Sequence, residues 1–500
     1  MRQKLYPIKG DITLEKLGIT PEDLEILVRE CTIVFNSAAT IRFSEPINNA
    51  VRNNIYSVGQ LVEFCNQLDN LEAIVHLSTA YSHCHKKDTI YEVFYKPPMS
   101  GSEVQAAVES LTKIEEEIHI YPDSSERRFQ RDETEESICT SRDSCEQQRF
   151  YFDGLTSSEL RNSRNGNLDK QTSIGAGENQ RGKITRPAGT SLKKNPYNLL
   201  DCFTTIALRY SNRPNTYTFT KAISESYLLD CVKRRTDRYL NGRIPVAIVR
   251  PSIVGGAWRE PLVGLVDNLN GPTGAILSLY TGALQAMPGR GDMKADLVPV
   301  DMVTNMIVSV GWFLVNQGKS SAEESNIRTD EGVYLFNFVS GHRNPLFWHQ
   351  VTDKIAELSY KFPSRFMVRL PGSYFVGAGK LYDFYDLIVQ KFPAYAIHFI
   401  KRRLLSQRID GRSNSVKVYK KIKQMTDTLT PFTSNQWSLC DSNTHSLFEK
   451  LSPIDKSIFH FDVKSIDWNE YIRNYIIGSR IYTLRDDTQN LRAAVRSLKR

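Results

Sequence analysis

The spacing of apolar positions changes several times along this chain. Residues 31–39 (CTIVFNSAA) and 71–81 (LEAIVHLSTAY) are short, β-branched and nearly continuous in apolar character. That is the pattern of strands covered on both faces of a parallel sheet. Between them, 46–68 (PINNAVRNNIYSVGQLVEFCNQL) keeps a helical period. The stretch TPEDLEILVREC opens with Thr20 as N-cap, Pro21 at the first helical position and acids in the first turn, a well-formed helix entry. A strand, a helix and a strand at this spacing predict a Rossmann-like, doubly wound parallel α/β layer. The pattern breaks over 118–197, which is polar, rich in Ser, Arg, Asn and Gly, and without a sustained period. Such a segment buries too little apolar surface to offset its ordering entropy and is expected to be a disordered insert. The α/β grammar then resumes with a helix at 217–236, a strand and loop at 245–256 and a strand at 333–341. The expected organisation is one α/β domain from 1–117 and 198–360, and a helical, aromatic-rich domain over 365–484.

Composition narrows the function classes. A hydrophobic share of 40% is enough for real cores in 500 residues. The net charge of +8 is scattered apart from short runs such as KRR (401–403) and VYKKIK (418–423), with no nucleic-acid-binding module around them. That charge suits solubility, phosphate-bearing small molecules or an anionic membrane surface, and no nucleic-acid partner is expected. Eight cysteines show neither CxxC pairs nor Cys/His ligand spacing, which points to a reducing compartment and to no metal site. The opening MRQKLYPIKGDI carries no secretory pattern, and no stretch is apolar enough to span a bilayer. The nearest, 373–400, is interrupted by Lys380, Asp383, Asp386 and Lys391 and reads as an interfacial or groove-lining helix.

The candidate chemistry lies in PNTYTFTKAI, residues 214–223. Tyr217 and Lys221 share a helix face, so the ammonium is expected to favour the ionised phenol and lower its pKa from about 10. The YxxxK spacing alone is weak, since it recurs at Tyr419 and Lys423 on what reads as a basic helix surface. Context separates the two. HLSTAY places the hydroxyls of Ser78 and Thr79 at the carboxyl end of a parallel strand, where open α/β sheets bind ligands, and VRPSIVGG supplies a strand running into a Pro- and Gly-bearing loop. A phenol can protonate a carbonyl oxygen as hydride reaches the carbon, while a Ser or Thr hydroxyl holds that oxygen.

These residues carry a family resemblance. VFNSAATIRFSEPI, HLSTAYSHC, YEVFYKPP, PNTYTFTKA, VAIVRPSIVGGAWREPLVGLVDNLNGPTG and ADLVPVDMV, followed by FPAYAIHFI, PFTSNQWSL and LSPIDKSIFHFDVKSIDWNEY, resemble in order the alcohol-forming fatty acyl-CoA reductases among the extended short-chain dehydrogenase/reductases. The resemblance implies reduction of a long-chain acyl-CoA to a primary alcohol through an aldehyde, with NADPH. It implies Tyr217 and Lys221 as the catalytic pair and Thr79, ahead of Ser78, as the hydroxyl partner. It further implies Asp11 at the adenine side of the cofactor, Ala38 and Ala39 along its diphosphate and ribose, Asn54 bracing the site, and Pro251, Ile253 and Val254 bordering the nicotinamide. Side chains of 365–400 are candidates for an acyl groove, and the family setting implies the cytosolic face of endoplasmic-reticulum or peroxisomal membranes. The pattern departs from the family at one place. A GxxGxxG turn is expected after the first strand, but only Gly10 and Gly18 precede residue 36, and GAGENQRG (175–182) follows no strand. The expectation is therefore a reductase by descent whose chain lacks an amino-terminal strand and Gly-rich turn, with its activity in this form left open. The alternatives are a cofactor-free lipid- or partner-binding protein and another extended dehydrogenase acting on a steroid or sugar nucleotide.

Overall fold

The computed structural model describes residues 4–120, 198–233, 245–317, 327, 329–330, 332–372, 374–403 and 415–486. The expected insert, 118–197, lies outside the described residues from position 121 onward, and 118–120 close a helix. Strands β1 (Ile33–Asn36), β2 (Ala73–Leu77), β3 (Val246–Pro251) and β8 (Val333–Phe338) pair in parallel, and β7 (Thr329–Asp330) adds an antiparallel edge, in the order β1, β2, β3, β8, β7. Short parallel pairs form between β4 (Ile253–Gly255) and β6 (Leu297–Pro299), and between β5 (Ala286–Pro288) and β9 (Tyr374–Val376).

The continuous apolar runs are explained by a core on each face. Ala73, Val75, Ala247, Val249, Phe336 and Phe338 enter one core, and Ile74, Val246, Ile248, Val333 and Leu335 enter the other. Side chains alternate with period two, so a strand buried on both sides needs an apolar residue at every position. Helix α1 (Pro21–Glu30) starts as expected, with Thr20 Oγ1 accepting from Asp23 N at 3.3 Å. Next come α2 (Ile47–Val51) and α3 (Ser57–Cys65), joined by a π-helical turn at Arg52–Tyr56, then α4 (Gly101–Ile120), α5 (Leu199–Ser211) and α6 (Thr216–Lys233). The remainder comprises α7 (Pro272–Tyr280), α8 (Val300–Gln317), α9 (Trp348–Lys361), α10 (Lys380–Asp386), α11 (Phe392–Arg403), α12 (Ser415–Ser434), α13 (Ser442–Lys450), α14 (Pro453–Ile458) and α15 (Trp468–Gly478). Two compact units emerge, Met1–Gln105 with Thr204–Arg500, and Ala106–Phe203. Within the second, Glu115 Oε1 accepts from Leu200 N at 3.0 Å.

In the larger unit α15 packs onto the loop after β4 through two glycines. A Cβ on Gly264, which has φ +71°, would sit 2.1 Å from Asn474 O, and one on Gly478 would sit 2.0 Å from Gly264 O. Tyr471 Oη donates to Gly256 O at 2.8 Å beside this crossing. Gly478→Ala therefore forces backbone apart and is expected to destabilise by about 1–3 kcal/mol, read as a lower urea midpoint at an unchanged slope.

Candidate active site

Helix α6 is unusual in being polar in sequence yet buried almost throughout. A buried polar helix holds only if each group finds a partner, and here the partners build the site. Thr216 Oγ1 donates to Phe43 O at 3.1 Å and Glu45 O at 3.0 Å. The Lys221 ammonium donates to Leu77 O at 2.8 Å, at the end of β2. Tyr217, one turn earlier and half-buried, lines a cavity together with Thr79. The three residues expected to act together are thus brought together.

Strand parity separates the two candidate hydroxyls. Ser78 continues the even positions of β2, which face α6, and its Oγ donates to Glu225 Oε1. Thr79 has the other parity and caps the short helical turn Ala80–His83, with Tyr81 N donating to its Oγ1 at 3.3 Å. Its hydroxyl also reaches Pro251 O at 3.4 Å and stands close enough to the Tyr217 phenol to favour its ionised form. Ser78 is spent on structure, while Thr79 faces the cavity.

Glu225 anchors a charged cluster that the sequence reading did not find. It receives Arg250 Nε at 3.0 Å and Nη2 at 2.7 Å, and Ser82 Oγ at 3.1 Å; His83 Nε2 lies 3.1 Å away. Both Glu225 and Arg250 are 0% exposed. Burial alone would raise the Glu225 pKa, but Arg250 and then His83 more than reverse it, holding the carboxyl well below its usual range. Burial pushes His83 down to about 4, against Glu225, so the ring is neutral at pH 7. No sequence pattern marks the cluster, since Glu225 four residues after Lys221 reads like any charged helix residue and Arg250 lies on a different element.

The remaining expected residues divide. Asn54 is buried. It is 2% exposed, sits in the π-helical turn, accepts from Thr40 N at 2.9 Å and donates to Thr40 O at 3.2 Å and Thr220 Oγ1 at 2.9 Å. It ties the loop after β1, which carries Ala38 and Ala39, to the helix bearing Tyr217 and Lys221. Pro251 ends β3 beside Thr79, and Ile253 and Val254 line the cavity. Asp11 stands apart, exposed, with its Oδ1 accepting from Thr13 N and Oγ1 at 2.8 Å each. The second YxxxK pair is structural, since Tyr419 Oη donates to Asp386 Oδ2 at 2.6 Å and Lys423 Nζ to Asp427 Oδ1 at 2.5 Å.

The cavity measures about 950 Å³. Phe43 packs on the Tyr217 ring at 5.3 Å and on Phe432 at 5.5 Å, forming an aromatic wall beside the phenol. Deeper lining comes from Ile276, Trp348, Met425 and Leu429. Its charged lining residues, Arg42, Asp267 and Lys421, are all exposed, so the enclosed part is uncharged. The expected source of an apolar groove needs correction. Of 365–400, Phe375 alone among the described residues lines the cavity, and α7 and α12 supply the walls instead. The sequence showed α12 only as a basic helix surface around VYKKIK, and its cavity-facing side, with Met425, Leu429 and Phe432, went unread.

Electrostatics also differ from expectation. Burial pushes the Tyr217 phenol up to about 12, with Thr79 opposing, and Lys221 is not among the causes. Desolvation outweighs a cation whose ammonium is turned toward Leu77 O. The phenol therefore keeps its proton at neutral pH and is a donor. Burial brings Lys221 down to about 8, with Glu225 opposing. A lysine depressed from 10.5 to that value costs the folded state about 3 kcal/mol below pH 8, and the cost fades as pH rises toward the unfolded value. Lys221→Met is thus expected to keep or raise the melting temperature at pH 7 while reduction falls about a hundredfold. Lower stability with retained activity would make Lys221 a structural residue.

The residues at the carboxyl ends of β1, β2 and β3 fit one end of a nicotinamide dinucleotide. Among the described residues buried Lys221 makes one hydrogen bond, leaving donors for ribose hydroxyls. The turns after β1 and β2, 37–40 and 78–83, hold no glycine and offer no backbone cradle for a diphosphate.

A model of the NAD-binding domain described as male sterility protein matches residues 1–307, and a second model with the same description matches 389–486. The chain belongs to this family of fatty acyl-CoA reductases, which are oxidoreductases. Its relatives include fatty acyl-CoA reductase 1 of Pongo abelii and of Homo sapiens, each 27% identical over 100% of this chain and 75% of theirs. Fatty acyl-CoA reductase 2 of Mus musculus is 26% identical over the same shares. Among solved structures, the terminal R domain from the myxalamid PKS-NRPS biosynthetic pathway is similar at 12% identity and a TM-score of 0.48, over 96% of this chain and 76% of that one.

Proposed function

We propose that this family member reduces a long-chain fatty acyl-CoA to the primary alcohol, with NADPH as reductant. The observation that carries the reading is the Thr79 and Tyr217 hydroxyl pair opening into an uncharged cavity whose cationic lining residues, Arg42 and Lys421, stand at the solvent end. Such a cavity suits a long acyl chain inside and the phosphates of CoA outside. Bound NADPH supplies hydride to the acyl carbon, once at the thioester and once at the aldehyde. Thr79 and Tyr217 hold the carbonyl oxygen, their hydrogen bonds strengthening as negative charge develops there. Collapse of the resulting hemithioacetal breaks the carbon–sulfur bond, and CoA leaves as thiolate. At the aldehyde stage Tyr217 donates its proton to the alkoxide, the Thr79 hydroxyl favouring the phenolate that forms, and the phenol is reprotonated from solvent. We assign Pro251, Ile253 and Val254 to the nicotinamide, Lys221 to its ribose, Ala38 and Ala39 to the diphosphate and ribose path, and Asp11 to the adenine side. Free cysteines among the described residues suit a reducing compartment, and an insoluble product suits a membrane surface. We place the enzyme on the cytosolic face of the endoplasmic reticulum or peroxisome. Incubation with palmitoyl-CoA and NADPH tests the reading. Hexadecanol with stoichiometric thiol release is expected, and absence of both products would refute it.

A further inference from the structure

The run formed by α10, the π-helical turn Leu387–Lys391 and α11 is turned inside out for a helix in water. Its buried side is polar. Asp386 and Gln390 are 4% and 5% exposed, Gln390 Nε2 donates to Asp386 Oδ1 at 2.7 Å, and Gln390 Oε1 accepts from Gln285 N at 3.2 Å. Its solvent side is apolar. Leu381, Phe384, Ile388, Phe392, Tyr395 and Phe399 are 67%, 66%, 52%, 68%, 43% and 60% exposed, recurring every three or four residues along one stripe. A soluble surface helix shows the opposite arrangement. The stripe lies in the most basic part of the chain. Residues 380–403 and 415–423 hold nine Lys/Arg against two Asp/Glu, a net of +7 out of +8 for all 500 residues.

We infer that this stripe docks on an anionic phospholipid surface, its rings and aliphatic side chains entering the headgroup boundary and the surrounding cations meeting lipid phosphates. Both terms point to lipid, since interfacial helices combine apolar insertion with attraction to anionic headgroups. A second copy of the chain fits less well, because a two-fold contact would set this basic region against itself. No described helix is long and apolar enough to cross a membrane, so the attachment is peripheral for these residues. Helix α12 packs beside the run and carries Met425, Leu429 and Phe432 into the cavity. Docking therefore brings the bilayer next to a cavity wall. That delivery role rests on the reductase reading; the docking does not.

The test is flotation of the full chain with phosphatidylcholine vesicles, with and without phosphatidylserine, for wild type and the Phe384→Ser, Phe392→Ser pair. Neither phenylalanine lines the cavity or belongs to a core. The expected result is salt-sensitive binding to the phosphatidylserine vesicles that falls about tenfold in the variant. Thermal unfolding and turnover of a short-chain, freely soluble acyl-CoA should be unchanged. No vesicle binding, binding indifferent to phosphatidylserine and to the substitutions, or a dimer by light scattering that the substitutions dissociate would each overturn the docking. Loss of turnover in both proteins with vesicle binding intact would instead refute the reductase reading alone.

Discussion

Tyr217→Phe lowers turnover by about a thousandfold and leaves stability and acyl-CoA affinity near wild type. The substitution removes one oxygen and keeps the ring that packs on Phe43 at 5.3 Å. What disappears is the proton donor and one of two groups holding the substrate oxygen, both of which act only as charge develops. The effect therefore falls on kcat, and KM changes little. The pH profile adds a separate constraint. Tyr217 is raised to about 12 and keeps its proton through the neutral range, so it sets no limb there. Lys221, lowered to about 8, loses its charge above that pH. Activity should fall with rising pH through an apparent value near 8, and the falling limb should vanish in Lys221→Met. Steady-state NADPH oxidation against pH measures both effects.

Glu225→Gln destabilises the protein by about 3–5 kcal/mol, because it leaves Arg250 charged, buried and uncompensated. The amide keeps the shape, so lost packing does not account for such a fall. Replacing both partners with apolar residues, Glu225→Leu with Arg250→Met, should recover much of the loss, since an apolar pair leaves no orphan charge. The same cluster gives acid sensitivity a defined sign. Glu225 titrates well below its usual range in the folded state, so its stabilisation is complete above the unfolded carboxylate pKa and disappears as pH falls below it. Urea midpoints of wild type and the two variants across that window provide the check. The cluster also holds the chain around Thr79, through Ser78 and Ser82 on either side. On the proposed reductase reading, Glu225→Gln is therefore expected to lower turnover as well, through the placement of Thr79.

The parts of the molecule legible in sequence were those governed by local rules. Strands β1, β2, β3 and β8 showed as near-continuous apolar runs because both faces of the sheet are covered. The start of α1 showed because a threonine cap and a proline at the first position satisfy backbone donors locally. The strand end and the helical spacing set the hydroxyls of Ser78 and Thr79 beside Tyr217 and Lys221, and the choice of Thr79 between the two came from the family resemblance alone. What stayed hidden depends on distant partners. Glu225 in ISESYLL is indistinguishable by pattern from a solvated helix residue, and its burial is decided by Arg250, His83 and Ser78 on other elements. The direction of the Tyr217 pKa depends on desolvation in the folded chain, which spacing between residues does not report. The cavity walls come from α7 and α12, while the aromatic-rich 381–399 stripe faces solvent. An apolar period marks a face to be covered and does not say what covers it.

The most direct test of the account is transfer of deuterium from NADPH labelled at its transferable nicotinamide position, with palmitoyl-CoA as substrate and mass spectrometry of the product. The account predicts hexadecanol carrying deuterium at both hydrogens of its carbinol carbon, and little product from Tyr217→Phe. Unlabelled alcohol, or equal labelled product from wild type and Tyr217→Phe, would contradict it.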